Sequence, residues 1–102
     1  MAAKLIFTKP QTFRSEAFRR AVASLPCMKC GMDNNTQAAH ENQGKGCAIK
    51  ASDACLMALC VRCHAEIDHG GRFTKDERRV LETVLVKQTL VAMIERGLLV
   101  LA

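Results

Sequence analysis

The chain is 102 residues long, with fifteen Lys and Arg against ten Asp and Glu and a formal net charge of +5. That length bounds it to one domain, and 49% hydrophobic residues with a mean hydropathy of +0.02 exclude a disordered tail. No apolar run approaches the roughly 18–20 residues a membrane span needs. The opening MAAKLIFTKPQ has no long apolar stretch or small-residue cleavage site of a secretory signal. The expectation is a cytoplasmic protein with no membrane partner, in a reducing compartment where clustered cysteines are metal ligands or catalysts.

In chain order, a short apolar stretch, Leu5-Ile6-Phe7, is closed by Pro10. A helix is predicted from about Ser15 to Leu25, with Ala17, Phe18, Ala21, Val22 and Leu25 at helical spacing and Pro26 past its end. The middle, residues 27–63, is rich in Cys and in turn formers (Gly31, Asp33-Asn34-Asn35, Gly44, Gly46), so its regular structure should be short. Thr36 to His40 and Leu56 to Leu59 are the strand candidates, and a short helix runs from Val61 or Arg62 to His69. Residues 74–96 read as one long helix opened by a Thr74/Glu77 capping box and stopped by Gly97. Its expected apolar face is Val80, Leu81, Val84, Leu85, Val91, Ala92 and Ile94. Leu98 to Leu101 fit either a short strand or an apolar tail.

The charge is unevenly placed. Residues 1–30 carry six basic residues and one acid, whereas residues 31–102 carry nine of each. Arg14, Arg19 and Arg20 are therefore candidates for a sequence-independent grip on nucleic-acid phosphates; the ordinary alternative is a solvated helix face. Gln43-Gly44-Lys45-Gly46 with Lys50 resembles a phosphate-gripping turn, against the alternative of a plain surface loop. It lacks the GKS/T ending of a nucleotide-binding P-loop, which argues against an ATPase.

The strongest local signal is Cys27-Met-Lys-Cys30 paired with Cys60-Val-Arg-Cys63, two CxxC knuckles 29 residues apart. A two-residue spacer lets both thiolates of a knuckle face one ion, and two knuckles complete a tetrahedral sulfur shell. This predicts structural Zn2+; a rubredoxin-like iron site would use the same ligands. Cys47 and Cys55 have no partner at knuckle spacing and read as small buried thiols. Three His remain to be placed. His40 ends a candidate strand, His64 follows Cys63 directly, and Asp68 lies four residues on, on the same helix face. His64 and Asp68 can thus share a divalent ion. His69 reads as an ordinary surface or core residue.

The order Cys27-x2-Cys30, Ala39-His40, Lys50-Ala-Ser-Asp53, Cys60-x2-Cys63-His64 resembles the HNH (His-Me finger) endonuclease superfamily. Within it, the chain is most similar to small prophage-encoded YbcO-like nucleases, over about residues 14–97. The resemblance implies an α+β fold: a small zinc-stabilised ββα-metal domain with flanking N- and C-terminal helices. It implies His40 as general base, His64 and Asp68 as ligands of a catalytic Mg2+ or Mn2+, and DNA as substrate. A recombinase filament enters as a possible partner in recombination or DNA metabolism. Two departures stand out. Ala39 occupies the place where many members carry an acidic or His ligand, and the middle Asn of HNH has no clear counterpart. Asp53 and Asn42 lie near that region, and either is placed to orient His40 or assist the ion. The rival reading is a non-catalytic zinc module that binds DNA or protein.

Overall fold

The computed structural model describes residues 13–41 and 52–101. Leu5-Ile6-Phe7, the loop residues Asn42, Gly44, Lys45, Gly46 and Lys50, and Cys47 lie outside the described residues. The described elements are α1 (Glu16–Ala23), β1 (Thr36–His40), a 3-10 turn (Asp53–Cys55), β2 (Leu56–Cys60), α2 (Val61–His69) and α3 (Lys75–Glu95). This is a small α+β arrangement: three helices around one two-stranded antiparallel sheet.

Helix α1 is two residues shorter at its end than the apolar spacing predicts. Ser15 is its N-cap, accepting from the Phe18 N–H at 3.0 Å. Near the other end the Ser24 hydroxyl donates to the Ala21 carbonyl at 2.6 Å, and Pro26 disfavours helical backbone at Leu25. The helix still buries Val22, and Leu25 beyond it is buried too.

The strands pair from Thr36↔Cys60 to His40↔Leu56. Alternate residues face opposite sides of a strand, and the core divides accordingly. Ala39, Met57 and Leu59 pack with Cys27, Cys63, Ile67 of α2 and Leu85 of α3. Ala38, Leu56 and Ala58 pack with Val22 and Leu25 from the α1 region and Met93 of α3. Strand β2 is buried along its whole length, because its outer edge is covered as well as its faces. The Ala58 N–H donates to Thr89 Oγ1 at 3.1 Å, and the Ala58 carbonyl accepts from the Met28 N–H at 2.8 Å. Thr89 donates in turn to the Leu85 carbonyl at 2.8 Å. Helix α3 therefore crosses the edge of the sheet at Thr89, with Leu85 one turn before it serving one cluster and Met93 one turn after it serving the other.

That crossing corrects the expected apolar face of α3. The buried stripe is Glu82, Leu85, Thr89 and Met93, spaced three or four residues apart as one helix face requires. Val80 and Ile94 are 67% and 60% exposed, and Val84 and Val91 are exposed as well. The capping box at Thr74 and Glu77 is present in both directions. At the far end Gly97 takes φ +70°, and the N–H groups of Gly97 and Leu98 close back on the carbonyls of Ile94 and Met93. Leu98 to Leu101 form no strand; Leu99 packs on the second cluster, while Leu98, Val100 and Leu101 are exposed. Among the described residues no helix is long and apolar enough to cross a membrane.

Candidate metal centre and histidine–carboxylate pairs

Each knuckle is built by its own backbone. Gly31, at φ +81°, turns the chain so that its N–H donates to the Cys27 carbonyl at 2.8 Å, while the Cys27 N–H donates to Met32. The Cys30 N–H points at Cys27 Sγ and the Cys63 N–H at Cys60 Sγ, each at 3.4 Å. Cys60 also serves as N-cap of α2. The four sulfurs of Cys27, Cys30, Cys60 and Cys63 lie within 4.8 Å of one another, with Cys30 and Cys60 Sγ 3.7 Å apart. A tetrahedral shell with metal–sulfur bonds of about 2.3 Å has edges of about 3.8 Å, so the donor set fits a metal ion such as zinc.

The electrostatics agree. Burial and the neighbouring sulfurs push the Cys63 thiol up to about 12. At Cys27 burial acts in the same direction, but N–H donors from Cys60, Cys30 and Lys29 outweigh it and bring the thiol down to about 6. Four sulfurs this close repel one another as thiolates, and a dication relieves that repulsion. Arg62 lies inside the second knuckle, and the neighbouring sulfurs of Cys30 and Cys63 raise its guanidinium above the ordinary value. Lys29, inside the first, pairs with Glu66 of α2 at 3.8 Å, which also meets Arg72 at 3.9 Å. Cys55 lies outside this cluster, half-buried, and burial together with the Glu41 carboxylate raises its thiol.

At the other end of the strand pair, His40 meets Asp53. Its Nε2 lies 2.8 Å from Asp53 Oδ1, and Asp53 is fully buried in the 3-10 turn that leads into β2. Burial alone would raise the Asp53 carboxyl. The Ser15 N–H at 2.8 Å, the His40 ring and the Arg19 guanidinium outweigh it and hold the group below the usual carboxylate range. An ionised Asp53 accepts the proton on Nε2 and leaves Nδ1 as the basic nitrogen of the ring. Arg14 Nη1 reaches the same Oδ1 at 3.5 Å, and Arg19 Nε lies 3.7 Å from Oδ2. Of the three arginines, Arg14 and Arg19 sit on Asp53, with Arg19 also pairing with Glu16, whereas Arg20 meets Glu16 but not Asp53 and points to solvent.

His64 forms a separate pair. Its Nε2 is 3.0 Å from Asp68 Oδ2, and its Nδ1 is 2.8 Å from Gln37 Oε1. Gln37 shares the β1 face of Ala39, opposite that of His40, so the two histidines approach the strand from opposite faces. Ala39 itself is buried among apolar side chains. Gln37 carried no signal in the sequence beyond its place in a strand. No third His, Cys, Asp or Glu joins His64 and Asp68 among the described residues. His69 is exposed in the last turn of α2. Compared with models of known families, with curated proteins and with solved structures, the chain matches none.

Proposed function

We propose that this protein is a metal-dependent endonuclease of the His-Me finger type that hydrolyses phosphodiester bonds in DNA, with the four-cysteine site holding structural zinc. The observation that carries the reading is the His40–Asp53 pair at 2.8 Å with Asp53 buried beneath it. A buried carboxylate on Nε2 fixes the tautomer and leaves Nδ1 as the basic nitrogen, which is what a general base for an in-line water requires. Support for a divalent ion comes from the second pair. Two cis ligands of an octahedral ion with bonds of about 2.1 Å stand about 3 Å apart, close to the separation of His64 Nε2 and Asp68 Oδ2. Gln37 on the other ring nitrogen would hold the imidazole in that orientation. Mg2+ or Mn2+ bound there would neutralise charge on a phosphate lying on that face of β1, opposite the face from which His40 approaches.

Purified protein should nick or cut DNA when Mg2+ or Mn2+ is added, and His40→Ala should lower the rate by about 10²–10⁴-fold while keeping zinc. Undiminished cleavage by folded His40→Ala protein would refute the assignment. Ala39, buried and without a donor where many superfamily members carry a ligand, favours the second reading, a non-catalytic zinc module that binds DNA or protein. Absence of cleavage across metals and DNA structures would select it.

A further inference from the structure

Arg14 and Arg19 are the basic residues whose surroundings differ most from an ordinary solvated helix face. They meet one buried carboxylate from two sides. Arg14 shares Asp53 Oδ1 with His40, and Arg19 shares Oδ2 with the Ser15 N–H. Because Arg14 and His40 reach the same oxygen atom, the guanidinium and the imidazole are direct neighbours. Both ion pairs are long, 3.5 and 3.7 Å, and both side chains are 42% exposed while Asp53 is 0%. A guanidinium has five N–H donors in a planar fork. Arg14 gives one to Asp53; Arg19 gives an Nη to Glu16, and its Nε stands in ion-pair contact with Asp53 without a hydrogen bond. The remaining donors belong to half-exposed side chains gathered on the carboxylate that also holds His40.

Resting on the nuclease reading above, we propose that Arg14 and Arg19 form a phosphate clamp that seats a DNA phosphodiester against His40. Asp53 then has two jobs: it holds the imidazole tautomer, and it pre-orients the two guanidiniums so that less side-chain freedom is lost when a phosphate arrives. Two fixed forks recognise the planar O–P–O edge in a way that point charges do not. Arg20, which meets Glu16 but not Asp53, lies outside the clamp.

The test separates binding from cleavage. A short fluorescein-labelled DNA duplex is titrated by anisotropy into His40→Ala protein, which would bind without cutting. Arg14→Lys and Arg19→Lys keep a cation beside Asp53 and so protect the fold, whereas Arg14→Gln and Arg19→Gln remove it; melting curves and zinc content check that each variant is folded. Lys87→Gln, which removes one charge from α3, is the control. Each Lys variant should weaken binding several-fold, and the double Gln variant should weaken it at least tenfold and lower the salt slope by about two. Lys87→Gln should change little. Folded Arg14 and Arg19 variants that bind as tightly as their parent would overturn the clamp. A parent that binds through these arginines, yet whose His40-intact form never cuts, would instead overturn the nuclease reading and leave the clamp standing. A parent that does not bind the duplex at all would overturn the clamp.

Discussion

Asp53 is the residue on which most of the proposed chemistry converges, and its protonation has a measurable consequence for stability. Its carboxyl is held below the usual range when folded, so on acidification the unfolded chain takes up this proton first. The stability the group contributes is complete above about pH 4, where an unfolded Asp is ionised, and is lost as the pH falls through the folded value. Urea midpoints measured from about pH 7 down to about pH 3 should fall more steeply for the parent than for Asp53→Asn. Parallel curves would show that the carboxylate is not an ion-paired anion in the folded chain. Asp53→Asn should also depress cleavage, because an amide presents either an N–H or a carbonyl to Nε2 and no longer fixes the tautomer.

Among the elements, α3 decides how the sheet is enclosed, and it does so through one hydroxyl. Thr89→Val keeps the shape of the side chain but leaves the buried Ala58 N–H without its acceptor, which should cost about 1–3 kcal/mol by urea unfolding. Thr89→Ser keeps the oxygen and should lose less. If Thr89→Val proves as stable as the parent, α3 is held by apolar packing alone. The same helix offers an internal contrast. Leu85→Ala, in the first cluster, should cost about 2–5 kcal/mol, while Val80→Lys on the exposed side should stay within about 0.5 kcal/mol of the parent. Equal losses at the two positions would place Val80 in contact with the core. Sequence periodicity could not make this distinction, because the exposed Val80, Val84, Val91 and Ile94 are more hydrophobic than two of the four buried residues, Glu82 and Thr89.

For the molecule as a whole, the four-cysteine site joins segments that lie 30 residues apart in the chain. It ties the turn after α1 to the junction of β2 and α2, in a domain without Trp or Tyr. Structural zinc contributes on the order of 10–16 kcal/mol in small zinc domains, comparable to or larger than the 5–15 kcal/mol net stability of a typical fold. A strong chelator should therefore unfold the protein, and returning Zn2+ should refold it, as followed by circular dichroism. Cys60→Ser should abolish stoichiometric zinc binding and lower the melting temperature sharply. A chelated protein that melts at the parent temperature would mean that the metal does not hold this fold.

Short-range chemistry along the chain sets the elements and the cysteine cluster. Both knuckles, the Thr74–Glu77 box, Gly97, both strands and all three helices were legible, with boundaries shifted by a few residues, because turn chemistry, capping and CxxC spacing act over a few positions. The His64–Asp68 pair was legible from its four-residue spacing and Asp53 as a candidate partner of His40 from the resemblance, whereas the basic stretch was visible only as residue types. Tertiary structure alone decided that Arg14 and Arg19 sit on Asp53 and Arg20 does not, that His64 meets Gln37, that the histidines lie on opposite faces of β1, and that α3 buries Thr89 in preference to four exposed apolar side chains. These are contacts between residues up to 39 positions apart. Which partner a side chain finds at such separations depends on how the sheet twists and where a helix crosses its edge, and no local pattern encodes that.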